Sequence, residues 1–121
     1  MNAFVLLVLS ATSPDPVRLA SKSFTESVIL GELATGVLQR SGYQTKHVHG
    51  LGGTRVVWDA LVRGDVDVYP EYTGTLAQEI FGGKVSADAL GPALAAAGVE
   101  LGPSLGFEDG YALGKIGRAH V

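Results

Sequence analysis

Tyr69-Pro-Glu-Tyr-Thr-Gly-Thr75 puts two phenol rings, two hydroxyls, a carboxylate and a glycine within seven residues. Aromatic faces attract cations, each contact being worth about 0.5–2 kcal/mol, and small hydroxyls hydrogen-bond to polar groups. Such a set suits the capture of a small polar or cationic molecule. From the sequence alone Tyr72 is as readable as a core residue as it is as a ligand contact, because tyrosines are often partly buried. The run follows an alternating segment, Asp65-Val-Asp-Val-Tyr69, and leads into a helix-like stretch from Leu76 to Phe81. Ligand sites of α/β proteins form where strands end.

Other residues that could do chemistry are more scattered. Lys22 stands near the end of an expected strand, where a lone lysine reads equally as a solvated surface charge. His47 and His49 would share one face of a strand. No third ligand is visible near them, and a zinc site needs three or four, so no metal is expected. Leu51-Gly-Gly-Thr54 lies between a strand and a helix, where backbone N–H groups can hold an anion. It lacks the Lys-Ser/Thr of a phosphate loop and the glycine spacing of a dinucleotide site, and reads as a tight turn. No nucleophile elbow, metal motif or paired-acid arrangement occurs. Binding is therefore expected rather than catalysis, with no cofactor.

The elements that must position these groups follow from periodicity. Val17-Arg-Leu-Ala20 alternates and reads as a strand. Ser23-Phe-Thr-Glu26 has the spacing of a capping box, predicting a helix that carries Val28, Ile29, Leu33, Val37 and Leu38 on one face and stops at Gly42. Tyr43 to His49 is a second strand. Arg55 to Arg63 is a helix closed by Gly64, and Val66 to Tyr69 is a third strand with Asp65, Asp67 and Tyr69 on the face away from the valines. A further helix begins at Ser86, is kinked or divided at Pro92 and ends at Gly98. Val99 to Leu101 is a short apolar run, Gly102-Pro-Ser-Leu-Gly106 a loop, and Tyr111-Ala-Leu113 a last strand. Strand, helix, strand, helix, strand predicts an α/β fold with a parallel-type sheet flanked by helices.

At 121 residues the chain can bury one modest core. Its net charge is -3, and the nine Lys and Arg are dispersed. That distribution argues against nucleic acid and anionic lipid as partners. The absence of cysteine excludes disulfides, thiolate metal sites, a cysteine nucleophile and the acylated cysteine of a lipoprotein. Ala3-Phe-Val-Leu-Leu-Val-Leu9 with Ser10-Ala-Thr-Ser13 reads as the core and cleavage zone of a signal peptide, so that residues 1–13 would be its remnant. A buried N-terminal strand is the other reading. Ile116-Gly-Arg-Ala-His-Val121 is what sequencing-adapter DNA gives on translation, and residues 116–121 are set aside as such an artefact.

Ser21-Lys-Ser-Phe-Thr-Glu26, Ile29-Leu-Gly-Glu-Leu33, Leu51-Gly-Gly-Thr54, Ala60-Leu-Val-Arg-Gly-Asp65 and Tyr69-Pro-Glu-Tyr-Thr-Gly-Thr75 occur in this order. In this the chain resembles the substrate-binding proteins of glycine betaine/choline ABC transporters from about Val17 to about Gly114. The resemblance implies a type II periplasmic-binding-protein fold, of which residues 17–115 would be an incomplete first lobe, the second lobe being missing. It implies a quaternary ammonium ligand, a permease partner in the inner membrane, and a periplasmic location. Ligand-binding roles carry over to Lys22, towards a carboxylate; to Tyr72, as a cage ring; to Thr75, as a donor to a carboxylate or to the hydroxyl of choline; and to Tyr111. Around Tyr111 this chain has Glu108-Asp-Gly110 where the family has an Asn-rich stretch, and Ser23 stands where the family usually has Asn. A ligand-sensing domain of the same fold, without transport, is the alternative function.

Overall fold

A computed structural model of the chain describes residues 3–9 and 16–108. The elements in order are β1 (Ala3–Leu9), β2 (Val17–Lys22), α1 (Thr25–Arg40), β3 (Thr45–Gly52), α2 (Thr54–Arg63), β4 (Val68–Tyr72) and α3 (Thr73–Thr75), which continues as a wider π-type turn over Leu76–Ile80. A 3-10 turn, Ala87–Ala89, then leads into α4 (Leu90–Ala96) and β5 (Val99–Glu108).

The strands form one sheet in the order β3-β2-β4-β1-β5. β2 runs parallel to β3, with Leu19 opposite His47, and parallel to β4, with Leu19 opposite Val68. Successive residues of a strand point to opposite faces, and β2 shows both faces covered. Leu19 packs with Ala34 of α1 and with Val68, whereas Ala20 joins Val57, Trp58 and Leu61 of α2 and Leu90 and Leu94 of α4. Helices therefore cover both sides of the sheet, as expected for parallel strands rich in apolar residues.

Ala3–Leu9, read above as the centre of an export signal with a buried strand as the other reading, lies in the sheet as β1. It pairs antiparallel with β4 and with β5. Val5 and Leu7 are buried in the main core while Leu6 packs on the α1 side, so at these residues both faces of the strand are covered. β5 extends through the segment expected as the loop Gly102–Gly106. The close approach of the two strands explains the glycine there, since a Cβ at Gly102 would lie 2.7 Å from the Leu6 carbonyl oxygen.

Two local expectations are corrected. The buried face of α1 is Ser27, Leu30, Gly31, Ala34 and Thr35, while Ile29, Leu33 and Val37 are exposed. The helix lies so close to the sheet that small residues must face it: a Cβ at Gly31 would come within 2.6 Å of His47 Nε2 and 3.2 Å of Ser21 Cβ. The Thr35 hydroxyl is satisfied within the helix, donating to the Gly31 carbonyl at 2.8 Å. Second, the capping box does not form. The N-cap is Phe24, with no side-chain cap hydrogen bond, and Ser27 Oγ instead accepts the Lys22 N–H at 2.7 Å.

The third strand also begins and ends later than its alternation predicts, and all five residues of β4 are buried. Tyr69, expected on a polar face, is fully buried in the main core. Asp67 is buried as well, because Arg18 reaches it with Nη2 at 3.0 Å and Nε at 3.2 Å while its backbone N–H donates at 2.8 Å. Gly64 closes α2 in the left-handed region at φ 85°, as its glycine predicts. Pro92 falls in the first turn of α4, where its missing N–H costs no helical hydrogen bond. No helix among the described residues is long and apolar enough to cross a membrane.

Candidate functional site

β2, β3 and β4 are parallel, so Lys22, Gly52 and Tyr72 end on one side of the sheet. From β2 the chain passes over one face through α1 to β3, then over the other face through α2 to β4. The helices part on either side of β2, and an open crevice forms at such a switch point, outside the strand ends. It measures about 340 Å³. The strand ends supply Lys22 and Tyr72, the helix starts supply Phe24, Glu26, Gly53 and Thr54, and the segment after β4 supplies Thr75 and Glu79.

Lys22 is not a solvated charge. Its Nζ donates to Glu71 Oε1 and to Thr54 Oγ1, each at 2.9 Å, and lies 5.1 Å from the centroid of the Phe24 ring. Of the three donors of the ammonium, these contacts engage two. Glu71 Oε1 also accepts the Tyr72 N–H at 3.0 Å. Burial pushes the Glu71 carboxyl above the usual carboxylate range, against the pull of Lys22. Glu71 Oε2 and Tyr69 Oη are both buried and meet no partner at full hydrogen-bond geometry among the described residues, although the two groups lie close enough to influence each other. Burial, and then the Glu71 charge, push the Tyr69 phenol well above its usual range.

Tyr72 lines the same crevice. Its ring packs against Leu30 of α1, and its hydroxyl donates to Glu26 Oε1 at 2.5 Å. The ring is thereby held from behind and at its tip. Neither α1 nor α2 has a side-chain cap, and the residues preceding them, Phe24 and Gly53, both line the crevice. The positive ends of both helix dipoles thus lie at its edge. The site combines carboxylates and aromatic rings, which favour a cation, with an ammonium, hydroxyls and helix starts, which favour an anion.

Of the four residues predicted from sequence, the crevice brings together Lys22, Tyr72 and Thr75. Tyr111 lies outside the described residues. Sequence reasoning missed Glu26, taken for a capping residue, and Thr54, taken for the end of a turn. The position of each at the start of a helix that follows a strand was the available signal. It also missed Glu71, which had been counted as a polar group of the motif and is in fact the buried partner of Lys22.

The pair His47 and His49 was expected to lack a third ligand, and here α1 supplies Glu32. Its Oε1 lies 2.5 Å from His47 Nδ1 and 2.5 Å from His49 Nε2. These hydrogen bonds, His47's first, hold the Glu32 carboxyl below its usual range.

The family described as the substrate binding domain of ABC-type glycine betaine transport systems matches residues 15–114. The chain belongs to this family. A stretch of 74 residues is 45% identical to the glycine betaine-binding protein YehZ of Escherichia coli (strain K12), covering 61% of this chain and 24% of that protein. A stretch of 75 residues is 39% identical to the ergothioneine transport permease/ergothioneine binding protein EgtU of Helicobacter pylori (strain G27), covering 61% of this chain and 14% of that one. The chain thus spans about a quarter or less of the curated relatives it matches. The mixed α/β sheet flanked by helices agrees with a fragment of such a substrate-binding domain.

Proposed function

We propose that this chain is part of the first lobe of an extracytoplasmic substrate-binding protein that delivers a quaternary ammonium compound to an ABC permease. The observation that carries the reading is the presence of two chemistries in the lining of one crevice. Tyr72, Phe24 and Glu26 offer aromatic faces and negative charge to a cation that has no N–H to donate. Lys22, Thr54 and Thr75 offer donors to a carboxylate. Glycine betaine carries both groups, and so does ergothioneine. Choline would place its hydroxyl where the carboxylate goes.

The proposed mechanism is capture and release without covalent change. The crevice is open on one side, and a second lobe with further rings and donors would close over the ligand by hinge motion and present the loaded form to the permease. Family membership supports this reading.

Titration calorimetry on the full protein tests it, comparing glycine betaine, choline and 3,3-dimethylbutanol, the uncharged carbon isostere of choline. Saturable binding of a quaternary ammonium compound with none of the isostere is expected. Equal binding of choline and the isostere would overturn the cation reading.

A further inference from the structure

We propose that Glu32, His47 and His49 form a binding site for a divalent transition metal of the zinc class, at the β3 edge of the sheet, separate from the ligand crevice. Each residue offers one ligand atom, and these atoms all lie within 4.8 Å of one another. Zinc binds imidazole nitrogen and carboxylate oxygen at about 2.0–2.2 Å, which puts tetrahedral donors roughly 3.4 Å apart. Small side-chain rotations therefore bring the three donors to bonding distance.

The arrangement is prepared from two directions. Pairing of β3 with β2 fixes His47 opposite Leu19, and the two-residue spacing puts His49 on the same face. The rings are 3.8 Å apart at their centroids, and both reach the same oxygen of Glu32. At present that oxygen occupies the point where ring N–H protons converge, and a cation would take the place of those protons.

His47 has the surroundings of a metal ligand. Its side chain is only 4% exposed, and its ring is confined against Gly31, where no Cβ would fit. Its far nitrogen, Nε2, lies 2.9 Å from Ser21 Oγ, which also accepts the Gly50 N–H at 3.2 Å. With the ion bound, a proton on Nε2 donated to Ser21 would leave the Nδ1 lone pair for the metal. Orientation of a ligating imidazole by a hydrogen bond at its other nitrogen is the usual supporting arrangement. Glu32 and His49 are 56% and 58% exposed, which leaves a path for the ion and room for water as a fourth ligand.

Two nitrogens and one carboxylate oxygen select the class of metal. Imidazole suits zinc, copper, nickel and iron, whereas magnesium and calcium take oxygen donors. Joined through the ion, α1 and β3 would be clamped together, so occupancy stabilises the folded lobe by mass action.

The test uses the full protein, untagged and stripped with a chelator, titrated calorimetrically with zinc chloride and followed by thermal unfolding with zinc or magnesium. Binding of one equivalent is expected, with a higher Tm in zinc and no change in magnesium. His49→Ala and Glu32→Gln change exposed side chains, and each is expected to weaken zinc at least tenfold while leaving the circular dichroism spectrum unchanged. Cobalt should give the visible absorption of a tetrahedral site in the parent protein and lose it in both variants. Absence of stoichiometric zinc binding, or zinc affinity unchanged in both variants, would overturn the proposal.

Discussion

Lys22 Nζ and Glu71 Oε1 lie 2.9 Å apart with both side chains buried, which ties β2 to β4 at the floor of the crevice. Breaking a buried pair from one side leaves an uncompensated charge and costs about 3–5 kcal/mol. Above the raised pKa of Glu71, where its carboxylate is ionised, Lys22→Met is therefore expected to destabilise the fold by about 3 kcal/mol. The double change Lys22→Met with Glu71→Gln should recover at least half of that, because no charge is then stranded. Urea unfolding of the parent and both variants measures it, and a double variant as unstable as the single would mean that the charge pairing is not what the site depends on.

Tyr72 has its ring on Leu30 and its hydroxyl on Glu26, so two substitutions separate the roles. Tyr72→Ala removes a cation–π face worth about 0.5–2 kcal/mol and is expected to weaken betaine or choline binding by the full protein about tenfold. Tyr72→Phe keeps the face and releases Glu26, which is exposed and rehydrates. Its expected loss is about fivefold or less, since an exchange of hydrogen bonds with water is worth about 1 kcal/mol or less. Calorimetric titration decides, and equal losses would assign the work to the hydroxyl.

Two glycines of α1 should respond in opposite directions. A methyl group at Gly31 meets the His47 ring at 2.6 Å, while one at Gly36 meets nothing nearer than the Arg40 guanidinium at 3.5 Å. Gly31→Ala is expected to lose about 1–3 kcal/mol through overpacking. Gly36→Ala is expected to gain about 0.5–1 kcal/mol from helix propensity. Thermal unfolding of the two variants checks the signs, and stabilisation by both would show that α1 can lift off the sheet.

The order of strands and helices from Val17 to Gly98 was legible because alternation, helical spacing and the glycine at 64 all agree. The buried face of α1 was not, since helical periodicity locates a stripe of large apolar residues. Here the helix comes close enough to the sheet that Ser27, Gly31 and Ala34 had to be the inner face, leaving Ile29 and Leu33 outside. Tyr72, Thr75 and Lys22, singled out through the family motifs, all line the crevice. The partners Glu26 and Glu71 were hidden by distance in sequence, because Glu26 meets Tyr72 across 46 residues and Glu71 meets Lys22 across 49. Glu32 escaped for the same reason, as it meets His49 only once α1 has folded back along β3.

Glu71 should also give the fold a pH dependence of definite sign. Burial raises its pKa above the ordinary glutamate value in the folded state, despite Lys22. The folded protein thus holds a proton that the unfolded chain has released, and stability falls as pH rises between those two pKa values. The contribution is complete below the ordinary value near 4.5 and lost above the raised one. Glu71→Gln carries no such proton. The stability of the parent minus that of Glu71→Gln is therefore expected to decline as pH is raised from about 4 into the neutral range. Urea unfolding of both proteins across that range measures the difference. If it grew with pH instead, the attraction of Lys22 would outweigh desolvation, and the carboxylate would be held ionised at the floor of the crevice.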